Sequence, residues 1–143
     1  MTSAALERIA IVGCGLIGGS IARRVAAEGI EVFVRDENPE HQDRAVSEFG
    51  CRQWTGEPVD IVVVATPPAS VVAVVHEIIA VAPNTPVTDV ASVKGAIVAA
   101  IDSAWFVGGH PLAGASTSGP EGALPGLFDG RPWVTCPRQR ANG

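Results

Sequence analysis

Three glycines stand as Gly13-x-Gly15-x-x-Gly18, directly after the apolar run Ile9-Ala10-Ile11-Val12 and around Leu16 and Ile17. At this spacing the first glycine permits a tight turn, the second lets a phosphate approach the backbone, and the third lets a helix pack closely on a strand. A pyrophosphate placed there meets free N–H groups and about half a positive charge at the helix N-terminus. Alone the motif is only a glycine-rich turn; a strand before it and a helix after it make it a dinucleotide loop. Asp36 closes a second apolar run about 20 residues further on, where a carboxylate accepts ribose hydroxyls and repels a 2′-phosphate. That favours NAD over NADP, although Arg35 and Arg44 leave a phosphate-pairing alternative open.

Further polar groups follow other apolar runs. Ala65-Thr66-Pro67-Pro68 comes after Ile61-Val62-Val63-Val64, at the sheet edge where open α/β folds bind ligands. Ala65, Thr66 and Pro67 are thus candidates for cofactor contact, and Thr66 is equally suited to cap a helix. Thr88-Asp89-Val90-Ala91-Ser92-Val93-Lys94-Gly95 and Gly108-Gly109-His110-Pro111-Leu112-Ala113-Gly114 each follow a candidate strand and deliver polar groups to the same rim. A histidine near its unperturbed pKa of about 6.5 can take a proton from a substrate hydroxyl while hydride leaves the same carbon. Ser92 could orient that exchange. On residue type alone His110 also reads as a structural turn residue, Ser92 as the N-cap of the Val93 helix, and Lys94 as a solvated helix charge.

These residues need a scaffold, and the hydrophobic pattern supplies one. Short β-rich runs alternate with stretches of helical period, which reads as repeated βαβ units. Strands are expected at Ile9–Val12, Glu31–Arg35, Asp60–Ala65, Pro86–Asp89 and Trp105–Val107. Helices are expected from Leu16 to a C-terminal cap at Gly29, from Pro39 through Phe49, over Val71–Val81 and over Val93–Asp102. The fold class is therefore α/β, a Rossmann-type doubly wound and mostly parallel sheet with helices on both faces. Residues 108–130, rich in Gly and Pro, are too long for an ordinary connection and read as a functional loop.

Composition narrows the classes. A chain of 143 residues, 47% apolar, can close one well-buried core. With 10 basic against 15 acidic residues and no dense basic cluster, a nucleic-acid partner is not expected. Apolar stretches break long before the roughly 20 residues that span a bilayer, and the amino end lacks a secretory pattern. The expected location is the cytoplasm. Cys14, Cys51 and Cys136 share no C-x-x-C spacing, so neither a disulfide frame nor a metal site is expected.

The ordered set GCGLIGGS, VVVATPP, TDVASVKG and GGHPLAGASTSGPEGALPGLFDGRPWVTCP resembles the N-terminal domain of the prephenate/arogenate dehydrogenase family across almost the whole chain. The resemblance implies an NAD-dependent oxidative decarboxylation of prephenate to 4-hydroxyphenylpyruvate, or of arogenate to tyrosine. It also implies that His110 hydrogen-bonds the ring hydroxyl and assists its deprotonation, and that Ser92 supports that histidine and the nicotinamide end. Lys94 matches the same motif and receives no chemical role. Similar enzymes continue into a helical domain that dimerises and grips the substrate's carboxylates, whereas this sequence stops at Gly143. The expectation is an NAD-binding domain that relies on a homodimer or a partner chain for the missing part, or one that binds without turnover. Where many relatives place a large polar residue after the His-Pro motif, Ala115-Ser116-Thr117 are small. A different Rossmann reductase, of 3-hydroxyacid or pyrroline-carboxylate type, would share the glycine loop but not the His-Pro segment.

Overall fold

The computed structural model describes residues 5–111 and 133–136. Elements follow in the order β1 (Arg8–Val12), α1 (Leu16–Ala27), β2 (Glu31–Arg35), α2 (Pro39–Glu48), β3 (Arg52–Gln53), β4 (Ile61–Val64), α3 (Pro68–Val81), β5 (Val87–Asp89), α4 (Gly95–Ala100), β6 (Phe106–Pro111) and β7 (Trp133–Cys136). Among the described residues they form one seven-stranded sheet of order β3-β2-β1-β4-β5-β6-β7. Every neighbouring pair is parallel except β6 with β7. The fold is thus the Rossmann-like, mostly parallel α/β architecture expected from the alternating pattern.

Continuous apolar runs become central strands because both of their faces are covered. In β1, Ile9 and Ile11 point into a cluster with Ile21, Val32 and Val34, while Ala10 and Val12 point into another with Val62, Val64, Val75 and Ile78. A one-residue slip would only exchange these two dry faces, so register is fixed by the ladder, Ile11 opposite Val34 on one side and Val63 on the other. Strand order reverses at β1, with β2 to one side and β4 to the other. In open α/β sheets that switch point leaves a crevice outside the carboxyl ends of the strands, where ligands bind.

Several boundaries differ from the expected ones for local reasons. Helix α3 begins at Pro68, three residues before Val71, because a first-turn proline lacks only an N–H that would have no helical partner. Its N-cap position is Pro67, with no side-chain cap, so Thr66 is not the cap it was suited to be. Helix α4 is shorter than Val93–Asp102 at both ends, and Lys94 occupies its N-cap position. Ser92 accordingly does not cap it.

The largest difference is at β6. It runs through His110 to Pro111 and pairs antiparallel with β7, His110 opposite Val134 and Gly109 opposite Thr135. The first four residues of the stretch read as a loop are therefore strand, and His110 is not a turn residue. Glycine pairs signal turns locally, and only the β7 partner from far along the chain makes them strand. Residues 112–130 of that loop, including Ala115-Ser116-Thr117, and the tail at 137–143 lie outside the described residues.

Candidate functional site

A cleft of about 850 Å³ opens at the carboxyl ends of β1, β2 and β4. The glycine turn forms its floor. Gly13 has φ +95°, and a Cβ there would stand 2.7 Å from the Ala65 backbone, so the β1 turn and the β4 end touch through a residue that must lack a side chain. A Cβ on Gly18 would stand 1.8 Å from the Gly13 carbonyl oxygen, which explains why α1 approaches β1 so closely. Gly15 differs: nothing lies within 4 Å of where its Cβ would be. It opens to the cleft, with Leu16 and Ile17 beside it in the wall. The three glycines thus divide as their spacing suggested, two for packing and one for access.

Asp36 stands at the end of β2 with its side chain 10% exposed. One carboxylate oxygen accepts the Cys14 N–H of the glycine turn at 2.6 Å, and the other accepts the Asn38 N–H at 2.8 Å. An ionised carboxylate has about four acceptor positions, so each oxygen keeps capacity for a ribose hydroxyl. The Asp36 backbone N–H donates to Gln42 at 2.8 Å, and Gln42 donates in turn to the Val34 carbonyl at 3.1 Å. His41 Nδ1 lies 3.5 Å from Asp36, and His41 lines the cleft. Sequence reasoning missed His41 and Gln42; the signal available was the Asn38-Pro39 helix start, which points the first turn of α2 back at β2. Asn38 caps that turn by accepting the Glu40 N–H at 3.0 Å.

The two basic residues that kept a 2′-phosphate in play each have an acidic partner, Arg35 within the cleft wall itself. Arg35 pairs with Glu77 of α3 at 3.2 Å and lies over the buried Trp54 ring at 5.5 Å. Arg44 pairs with Glu48 at 3.0 Å along α2. Asp36 and Glu37 stand in the wall with Arg35, whose charge Glu77 offsets, so carboxylates outnumber the guanidinium at this end and hydroxyls suit it better than phosphate.

Ala65, Thr66 and Pro67 line the opposite wall, beside Val90 and Ala91. The Thr66 Oγ1 is buried and has no hydrogen-bond partner among the described residues. A buried hydroxyl left this way costs about 1–3 kcal/mol, so an acceptor or donor brought by a ligand is the natural partner. A dinucleotide therefore fits this cleft on three separate observations: the open backbone at Gly15, the spare acceptor capacity of Asp36 and the orphaned hydroxyl of Thr66.

Ser92 and His110 are at the carboxyl ends of the neighbouring strands β5 and β6 but are not among the described residues that line the cleft. Ser92 is exposed and His110 half-buried, its Nδ1 buried without a partner among the described residues. What joins their two segments is Asp89, fully buried at the end of β5. Its carboxylate accepts the Ala91 N–H and the Gly109 N–H, each at 3.1 Å, and pairs with the Lys94 ammonium. Lys94 is not the solvated charge its helical position suggested.

Sheet order, the glycine turn and the carboxylate at the end of β2 together define a dinucleotide-binding domain of the Rossmann class. Residues 21–143 match the family model described as prephenate dehydrogenase, nucleotide-binding domain, and the chain belongs to that family. It is 36% identical over 133 residues to a probable prephenate dehydrogenase, NovF, of Streptomyces niveus, covering 89% of this chain and 37% of that protein. Its structure is similar to that of prephenate dehydrogenase from Aquifex aeolicus in complex with hydroxyphenyl propionate and NAD+, with TM-score 0.88, 28% identity and coverage of 99% of this chain and 54% of that one. It is also similar to Synechocystis arogenate dehydrogenase, with TM-score 0.85, 31% identity and coverage of 92% and 50%. The chain thus spans about half the length of these solved relatives. No helix among the described residues is long and apolar enough to cross a membrane.

Proposed function

We propose that this chain is the NAD-binding part of an NAD-dependent dehydrogenase that oxidatively decarboxylates prephenate to 4-hydroxyphenylpyruvate, with arogenate as the alternative substrate. The observation that carries the reading is the placing, along one sheet edge, of a cleft with a carboxylate at the end of β2 and of His110, one residue before the end of β6. NAD supplies the hydride acceptor when bound. The chain's own groups do the rest. Gly15, Leu16 and Ile17 hold the pyrophosphate at the head of α1, Asp36 accepts the ribose hydroxyls, and Ala65, Thr66 and Pro67 support the nicotinamide half.

His110 takes the proton of the ring hydroxyl as hydride leaves the same carbon. The bond to the ring carboxylate then breaks, carbon dioxide departs, and its electron pair completes the aromatic ring. The proton held by His110 returns to the phenolate oxygen, so protons and electrons balance. Ser92 orients the imidazole. A base in this role contributes typically 10² to 10⁴-fold to rate.

Gripping the substrate's carboxylates falls to a further domain or a partner chain, such as a second copy in a homodimer. Residues 1–143 alone are therefore expected to bind NAD and to oxidise prephenate slowly or not at all. The test uses the full product of the reading frame, assayed for NADH formation with prephenate and with arogenate, beside His110→Asn. Loss of turnover by about 10² to 10⁴-fold in His110→Asn with NAD affinity retained supports the reading. Turnover that survives the substitution, or no NAD binding by the parent, overturns it.

A further inference from the structure

We infer that Asp89 and Lys94 are positioning residues for His110: a buried ion pair that fixes the histidine strand against the Ser92 turn and the cleft wall. The ordered ladder between β5 and β6 ends at Thr88 opposite Val107, a pairing reinforced by the Thr88 hydroxyl, which donates to the Val107 carbonyl at 2.6 Å. Beyond that point Gly109, the residue preceding His110, finds no acceptor on the β5 backbone. The Asp89 carboxylate takes that place, receiving the Gly109 N–H on one oxygen. Its other oxygen receives the Ala91 N–H and the Lys94 ammonium. One carboxylate therefore holds β6 next to His110 and both ends of the turn that carries Ser92.

The burial makes the arrangement demanding. Asp89 is fully buried and the Lys94 side chain only 14% exposed. A carboxylate out of water is stable only when paired and hydrogen-bonded, and three donors satisfy it here. Buried pairs of this kind are weak devices for stability and better ones for holding a single arrangement. The Lys94 stem crosses Gly108: a Cβ there would stand 3.5 Å from Lys94 Cδ and 3.0 Å from Val98. The Lys94 stem thus packs along β6 on its way to Asp89. A solvated surface lysine would need none of this.

The inference rests on the dehydrogenase reading only for its kinetic arm. Its direct readout is the imidazole spectrum of histidine-labelled protein at fixed pH, tractable because the chain has three histidines. In Lys94→Met the His110 resonances should move while those of His41 and His76 stay. NAD affinity should stay within about 3-fold, because the glycine turn and Asp36 are separate from the pair. The kcat for prephenate should fall about 100-fold with KM little changed, the expected result of displacing a reacting group by about 1 Å. Lys94→Arg should recover most of the His110 spectrum and of kcat. Should Lys94→Met fail to fold with its unpaired carboxylate, Asp89→Asn combined with Lys94→Met removes both charges and is read the same way. Unmoved His110 resonances in the folded variant overturn the inference, as do equal changes at all three histidines with NAD binding lost. A full reading-frame product that shows the spectral effect but never oxidises prephenate or arogenate would defeat the reaction and leave the positioning role standing.

Discussion

The Asp36 carboxylate accepts the Cys14 N–H at 2.6 Å, so the acid proposed to receive the ribose also braces the glycine turn proposed to receive the pyrophosphate. Two halves of the nucleotide site, separated in sequence, are one hydrogen-bonded unit. Asp36→Ser should therefore raise the dissociation constant for NAD by about tenfold or more, roughly 1.4 kcal/mol per decade, and that for NADP much less. Titration of both dinucleotides into the variant checks it, and an unchanged preference would remove Asp36 from the ribose role.

Gly15 and Gly18 should separate binding from stability. Gly18→Ala drives a methyl to 1.8 Å from the Gly13 carbonyl and is expected to destabilise by about 3 kcal/mol, seen in denaturant unfolding. Gly15→Ala meets no neighbour within 4 Å, so stability should hold within about 0.5 kcal/mol. Its NAD affinity should nonetheless fall about tenfold, because the methyl stands where the pyrophosphate approaches.

Thr66→Val replaces a buried hydroxyl that has no partner among the described residues with a methyl of the same shape. Stability without ligand should rise by about 1 kcal/mol, since an orphaned polar group is removed. NAD should bind more weakly. A variant less stable than the parent in the absence of NAD would show that the hydroxyl already has a partner.

Burial raises the Cys14 thiol from its ordinary 9.0 to about 12, helped by the neighbouring Cys51 and Asp36, and burial raises Cys51 from 9.0 to about 11. The thiolate is the reactive form, so at pH 8 iodoacetamide should label half-buried Cys136 and spare the other two, as peptide mapping would show. Both shifts are upward. The stability they contribute is complete below pH 9 and is lost as pH climbs toward 11 and 12. Replacing both thiols with alanine should flatten that alkaline limb in urea midpoints measured across pH.

How far the sequence could be read varied with the range of the interaction. β2 at Glu31–Arg35 and the start of α1 at Leu16 stand where the pattern put them, because a buried strand and a glycine-opened helix are written in adjacent residues. The start of α3 moved to Pro68 while its end at Val81 held, since a first-turn proline is tolerated, and α4 starts only at Gly95 because Lys94 at its N-cap position turns to Asp89. His41 and Gln42 reached Asp36 only through the packing of α2 against β2.

Residue order alone determined the alternating α/β scaffold, the glycine turn, and an acid at the end of β2, because each depends on local sterics or on a charge at a fixed spacing. Tertiary structure decided that Gly108 to Pro111 are strand and that the Lys94 side chain is largely withdrawn from solvent. It also set how closely the Ala65 backbone crowds Gly13 and how open the space beside Gly15 is. Those facts depend on what a distant segment places alongside: β7 against β6, a carboxylate beneath an ammonium, and a backbone that either crowds a missing side chain or leaves it open.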